Sequence, residues 1–321
     1  MVVRADVSAP VPRVTVVVLN WNGGRDTLAC LASLAQQDYA ATSVLVIDNG
    51  STDGSVAEIA RHFPAVQIVE NGQNLGYARG NNTGIVFALM AGADYILLLN
   101  NDTVVAPDCV SELMKAALQY PRAAALGAKI YYFTEPERIW YAGARWDRDS
   151  ACTAHIGQGE VDTGSPYSAV SETDYACGCA VLLQVEAVHK VGLLDYRYFL
   201  IWEEVDWCYR ARRAGFEVLF VPTARVWHKI STSFGGSFTP LSRYFWWRNR
   251  LLWMEKNLPF AERFSIYRRC LLKEILGEGM AYLKLRSAPE SQRLPGAALQ
   301  GVLDYLVRRF GDSPAWLRAS R

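Results

Sequence analysis

The residues best able to do chemistry lie in four short polar runs, each placed directly after an apolar run. They are Asn20-Trp21-Asn22-Gly23-Gly24, Asp48-Asn49-Gly50-Ser51-Thr52-Asp53-Gly54, Asn71-Gly72-Gln73-Asn74-Leu75-Gly76 and Asn100-Asn101-Asp102. Singly, each could be an ordinary turn, because Asn, Asp and Gly tolerate turn geometry. Four on one rim are better explained by a shared polar ligand. Asn100-Asn101-Asp102 is the sharpest. It follows Ile96-Leu97-Leu98-Leu99, which holds Asp102 at the end of a rigid buried strand. Mg²⁺ or Mn²⁺ takes oxygen ligands from one or two carboxylates and from substrate phosphates, and this carboxylate suits that role. Capping of a helix near Pro107 is the competing account of Asp102.

A second cluster begins at Phe199 and runs through Trp202, Glu203, Glu204 and Asp206 to Arg210. Acids at a helix start are stabilised by the helix dipole, by ~0.3–1 kcal/mol each. That accounts for one or two of them. It does not account for an aromatic lead-in that sets a carboxylate pair against a hydrophobic wall. Such a wall raises a carboxylate pKa and makes a competent general base. His228 stands in Val226-Trp227-His228-Lys229, ahead of Ser231-Thr232-Ser233-Phe234-Gly235-Gly236. A lone His is more often structural, but beside such a loop it can meet a metal or a diphosphate. Arg243, Arg248 and Asn249 follow, among Tyr244, Phe245, Trp246, Trp247 and Trp253. Basic and aromatic residues together fit diphosphate binding or a membrane-surface helix.

These residues need elements to position them. Apolar runs predict strands over 14–19, 44–47, 66–69 and 95–99, and helical spacing predicts helices over 26–37, 55–62, 78–90 and 107–119. This β-α-β-α rhythm argues for a parallel sheet with helices on both faces, whose carboxyl strand ends bind ligand. Residues 131–175, rich in Gly, Ser and Thr, predict hairpins and loops, followed by a strand at 179–183, a helix at 204–214 and a strand at 216–221. From residue 241 the pattern is helical, aromatic and basic.

Bulk properties exclude several classes. With 321 residues, 51% of them hydrophobic, the chain can hold one large α/β domain and a helical appendix. A net charge of +1 carries no nucleic-acid-binding excess. Seven scattered cysteines predict reduced thiols, with Cys177 and Cys179 as small core residues. Residues 1–13 lack the apolar core of a signal peptide, and no apolar stretch reaches the ~18 residues needed to span a bilayer. The turn after the first strand has no G-x-G-x-x-G, and no G-x-x-x-x-G-K-[ST] occurs, which removes the nicotinamide and P-loop readings.

The ordered set of motifs resembles the family-2 glycosyltransferases of the GT-A fold, and within them the bacterial rhamnosyltransferase-like branch. The matching runs are residues 16–22, 46–54 and 74–84, Leu99-Asn100-Asn101-Asp102-Thr103, and the Glu203-Glu204 segment, spanning about residues 13 to 255. The resemblance implies an α/β GT-A domain over 1–240, its nucleotide-sugar half at about 13–120 and its acceptor half at 121–240, with a helical region over 241–321. It implies that Asp48 binds the nucleobase and that Asn74, Gly76, Arg79 and Asn82 line the nucleotide-sugar pocket. Asn20, Asn22, Asn49, Asp53, Asn100, Asn101, Trp202 and Arg248 complete the expected set. Asp102 stands where the family's Asp-x-Asp motif ends, with Asn100 at its first position, and would reach a divalent cation (Mg²⁺ or Mn²⁺) together with His228.

Glu203-Glu204 matches the family's Glu-Asp pair, with Glu204 at the position of the base and Asp206 nearby. The implied reaction is inverting transfer of one sugar, L-rhamnose from dTDP-rhamnose before a UDP-sugar, to a saccharide or lipid-linked saccharide. A nucleotidyltransferase would need a basic Gly-rich loop after the first strand, where only Arg25 is basic. A non-catalytic carbohydrate-binding protein would be free to lose Asp102 and Glu204. The expected location is cytoplasmic, with residues 241–285 against the cytoplasmic face of a membrane and no nucleic-acid partner.

Overall fold

The structure, a computed structural model, describes residues 10–229, 239–285 and 289–318. The first half alternates as the apolar rhythm predicts: β1 (Val14–Asn20), α1 (Gly24–Leu34), β2 (Thr42–Asp48), α2 (Ser55–His62), β3 (Gln67–Glu70), α3 (Gly76–Met90) and β4 (Tyr95–Asn100). There follow β5 (Thr103–Val105), α4 (Cys109–Gln119), β6 (Ala123–Tyr132), β7 (Ile139–Tyr141), β8 (Ala144–Asp147), β9 (Cys152–His155), β10 (Ser171–Glu172), β11 (Ala180–Gln184), α5 (Val185–Val191), α6 (Glu203–Arg213) and β12 (Glu217–His228). The chain continues in α7 (Pro240–Asn257), α8 (Phe260–Ile266), α9 (Leu272–Lys284), α10 (Pro289–Leu306) and α11 (Ala315–Arg318).

The main sheet runs β10-β12-β6-β11-β4-β1-β2-β3, with β5 beside β12 and β7 beside β6; β8 and β9 form a separate hairpin. β3, β2, β1 and β4 are mutually parallel, and so are β6 and β12, while β11 enters antiparallel between β4 and β6. β1 is buried on both faces, the condition for a central parallel strand, and its β-branched run supplies the bulk. α3 lies directly on it: a Cβ at Gly84 would stand 2.2 Å from Val17 Cγ1, so only glycine permits the approach. The register pairs Asn20 with Asp48, Leu19 with Asn100 and Asp48 with Glu70. The four polar runs therefore share one rim.

The structure differs from the sequence reading in three places. The helix expected from Pro107 begins at Cys109, after Asp108. β6 carries little strand signal because its run Ala123-Ala124-Ala125-Leu126-Gly127 has few β-branched residues. The strand expected to stop at Val221 continues to His228, because a register shift between Val221 and Arg225 lets the strand pass Pro222 and resume pairing.

α7 is a core helix. Tyr244, Phe245, Trp247, Leu251, Leu252 and Trp253 are buried, and Leu252, Trp253 and Met254 join the main core under the sheet. The aromatics expected to face a membrane are therefore turned inward, except for the half-buried Trp246. Among the described residues no helix is long and apolar enough to cross a bilayer. All seven cysteines are free thiols, and Cys177 and Cys179 are buried as expected.

Candidate active site

The donor-side rim is built by hydrogen bonds among the strand-end residues themselves. Asn20 is fully buried; its Nδ2 donates to Asp48 Oδ1 (2.8 Å), Ser51 Oγ (3.1 Å) and Ser55 Oγ (2.9 Å), and its Oδ1 accepts from Thr27 Oγ1 (2.7 Å). Asp48 Oδ2 accepts from the N–H groups of Gly50 (3.0 Å) and Ser51 (2.9 Å). Asn49 is buried, donating to Gly76 O and accepting from Asn71 Nδ2. On the open side, Asn22 Oδ1 accepts from Thr52 N (2.7 Å), and Asn22, Thr52 and Asp53 are exposed. Asp53 accepts from Ser55 N and Gly24 N. Burial raises its pKa, but those hydrogen bonds outweigh it and hold the carboxyl below its ordinary value.

The metal-side pair is placed by sheet register. β5 pairs antiparallel with β12, setting His228 opposite Thr103. His228 Nε2 consequently lies 3.1 Å from Asp102 Oδ1, and both side chains are more than nine-tenths buried. Lys229 N donates to Asp102 O, locking the next residue of the strand to the same turn. His228 Nδ1 is buried without a hydrogen-bond partner, and the Trp140 ring packs on the imidazole at 4.8 Å. The Ser231–Gly236 run expected beside His228 lies outside the described residues.

The carboxylate pair opens α6. Its lead-in is strained: Phe199, Ile201 and Trp202 have φ of 62°, 67° and 84°, a region costly for non-glycine residues and recurrent at functional sites. Helix α7 braces it. Asn249 Nδ2 donates to the carbonyls of Tyr198 (2.8 Å), Leu200 (2.7 Å) and Ile201 (2.7 Å), and Arg248 Nη2 donates to Tyr198 O (2.9 Å). The loop in turn caps α3, since Phe199 O accepts from Tyr77 N (2.7 Å).

Glu203 is buried and Glu204 half-buried, and the Oε2 atom of each lacks a partner. Glu204 lines an apolar void of about 10 Å³ with Tyr77, Leu98, Trp207 and Cys208. Burial, then repulsion by Glu204, pushes the Glu203 carboxyl well above the carboxylate range. Burial also raises Glu204, opposed by N–H groups at the helix start and at Gly178. Gly178 links the two halves: Tyr77 OH donates to its carbonyl, and the neighbouring Cys179 O accepts from Asn100 N (2.9 Å) at the end of β4.

Several expected binding residues are occupied elsewhere. Asp48 is 1% exposed and both its oxygens are engaged, so it shapes the turn rather than facing a base. Asn82 makes a two-way clasp with the Leu194 backbone. Asn74 Oδ1 caps Gly76 N, and Arg79 is exposed on the first turn of α3. Asn101 Nδ2 donates to Thr27 Oγ1, and Asn100 is half-exposed at the strand end. Trp202 is 1% exposed, packed on Trp253 in the core.

Arg248 does not reach a diphosphate: it is fully buried, with its donors on Asn249, Tyr244 and the carbonyls of Gly311, Arg197 and Tyr198. Asp206 is no second base either. It is fully buried and accepts from Tyr198 OH, Arg210 Nε, Lys256 Nζ and Asn257 Nδ2. Sequence reasoning missed Gly178, Tyr77 and Trp140; the glycine between Cys177 and Cys179 was the one available signal.

The family model described as Glycosyl transferase family 2 matches residues 15–184. An N-acetylglucosaminyl-diphospho-decaprenol L-rhamnosyltransferase of Mycobacterium tuberculosis is 31% identical over 245 residues, covering 68% of this chain and 77% of that protein. The dTDP-rhamnosyl transferase RfbF of Shigella flexneri is 22% identical over 221 residues, covering 67% and 71%. Among solved structures, the mannosyltransferase PcManGT of Pyrobaculum calidifontis, in complex with GDP-Man and Mn²⁺, superposes with a TM-score of 0.58 at 15% identity, over 93% of this chain and 88% of that one.

Proposed function

We propose, for a chain that belongs to glycosyl transferase family 2 and folds as a GT-A glycosyltransferase, that it moves L-rhamnose from dTDP-rhamnose to a hydroxyl of a lipid-linked or cell-surface saccharide, inverting the anomeric centre. The sugar and the lipid-linked acceptor are taken from the two rhamnosyltransferase relatives; a UDP-sugar donor on the same site is the second reading.

The observation that carries the proposal is the pairing of Asp102 with His228 on the strand-end rim, joined through Gly178 to the Glu203–Glu204 pair. One carboxylate and one imidazole would hold Mn²⁺ more readily than Mg²⁺, because Mg²⁺ prefers oxygen ligands throughout. Asp102 Oδ1 and His228 Nε2 already lie 3.1 Å apart, so the two side chains would reach a common ion without rearrangement of the strands. No cluster of three or more His, Cys, Asp or Glu is assembled among the described residues, so donor phosphates and water would complete the shell. A bound divalent cation would neutralise charge on the leaving diphosphate. Asp102 and His228 hold their positions through the β5–β12 register. Glu204 takes the proton of the attacking hydroxyl, and its raised pKa strengthens it for that transfer. The hydroxyl attacks opposite the diphosphate, and one displacement gives one inversion.

The test is a thermal-shift comparison of dTDP, UDP and GDP with and without Mn²⁺, since a ligand that binds the folded state stabilises it by mass action. The largest metal-dependent shift is expected with dTDP, and Asp102→Ala is expected to remove the metal response. A response confined to UDP would reassign the donor. An unchanged response in Asp102→Ala would return Asp102 to a capping role.

A further inference from the structure

The C-terminal helices carry an apolar face that the fold leaves uncovered. Helix α9 has no buried residue. Phe260 (74% exposed), Phe264, Leu272, Leu276 (65%), Met280 and Leu283 stand out from α8 and α9. From Phe260 to Met280 they are spaced by multiples of four residues, which would drift around a regular helix that turns once in about 3.6 residues. The π turn over Tyr267–Leu271 takes up an extra residue and offsets part of that drift. A groove of about 510 Å³ lies between α9, α10 and α11, and Tyr282, Leu303 and Trp316 line it together with Arg293 and Gln300. The first three are partly exposed, and Tyr and Trp are the residues that settle at lipid–water boundaries.

Charge along the segment is sorted by direction. Its three acids are paired with arginines from elsewhere in the chain: Glu262 with Arg148, Glu274 with the buried Arg250, and Glu278 with Arg243. Arg268, Lys273 and Lys284 are exposed on the same helices. An uncovered apolar face with exposed cations on the same segment, and with each of its three acids paired to an arginine, matches an anionic lipid surface.

We infer that α8 and α9, with the rim of the groove, lie flat on an anionic membrane surface, with Leu276 and Met280 inserted and Arg268, Lys273 and Lys284 at the headgroups. This surface replaces the buried aromatics of α7 as the membrane contact. It stands whatever sugar is moved.

Co-sedimentation with vesicles of phosphatidylglycerol and phosphatidylcholine tests it, using the full chain. The protein is expected to pellet at low salt, to be released as salt rises, and to bind pure phosphatidylcholine vesicles more weakly. Leu276→Glu with Met280→Glu should weaken binding at least about tenfold, and Arg268→Glu with Lys273→Glu should remove its salt dependence. Both pairs are exposed, so melting temperature and metal-dependent nucleotide binding should stay unchanged, which separates this inference from the donor assignment. Failure to pellet at low salt, or equal binding by either double variant, overturns it. So does a dimer in solution that Leu276→Glu with Met280→Glu dissociates, because a second copy would then be the occupant.

Discussion

Removing the side chain of Asn249 is expected to uncouple catalysis from donor binding. Its amide holds the carbonyls of Leu200 and Ile201 and shares that of Tyr198 with Arg248, while its Oδ1 accepts from Arg248 Nε. In Asn249→Ala, two carbonyls and one guanidinium N–H lose their partners; Asn249 and Arg248 are fully buried, while Leu200 and Ile201 are half-buried. Each such loss costs ~1–3 kcal/mol. The braced loop holds three non-glycine residues at positive φ, each storing ~1–2 kcal/mol that relaxation can return in part. The net expectation is a loss of about 2–4 kcal/mol in unfolding free energy. A relaxed loop displaces the start of α6, so kcat should fall at least about tenfold. Donor KM should change less than kcat, because this loop meets the donor-side rim only through Tyr77 and Gly76 and makes no hydrogen bond to Asn20 or Asp48. Asn249→Asp keeps the acceptor for Arg248 but loses the donors, and should recover no kcat over alanine. Denaturant unfolding with steady-state kinetics reads both quantities. Wild-type kcat together with a stability change below about 0.5 kcal/mol would refute the bracing role.

Glu203 offers a pH test. Its pKa is raised in the folded chain, so its contribution to stability is fully present below its ordinary value and is lost as pH rises through the raised value. Glu203→Gln should therefore unfold at a higher temperature than wild type at neutral pH, with the difference vanishing near pH ~4; a pH-independent difference would contradict the buried, raised carboxyl. Gly76→Ala should destabilise the chain by more than ~1 kcal/mol, because φ is +76° and a Cβ would stand 2.5 Å from Phe199 O. Calorimetry that showed no loss would mean that α3 and the loop can separate freely.

Much of this molecule was legible in its sequence. Apolar runs ending in Asn and Asp located β1, β2 and β4 and their shared rim, because a buried strand must be apolar until its end. What was not legible was which polar side chains face ligand and which face protein. Arg248 and Asp206 look functional by type, yet both are core residues whose hydrogen bonds join segments 50 residues apart. The nearness of His228 to Asp102 depends on the pairing of β5 with β12 beyond a proline and a register shift, which local pattern cannot supply. The amphipathic stripe was masked for a similar reason: the π turn at 267–271 breaks the 3.6-residue period that would have displayed it.

Glu204 is proposed as the base of a single-displacement sugar transfer, and the kcat of Glu204→Gln tests this most directly, with donor affinity measured on the same preparation. Loss of a general base typically lowers a rate by ~10²–10⁴. Glu204→Gln is expected to lower kcat by that order and to leave donor affinity unchanged. Turnover near the wild-type rate in Glu204→Gln would contradict it and return the proton transfer to Glu203, the neighbouring carboxylate whose Oε2 is also without a partner.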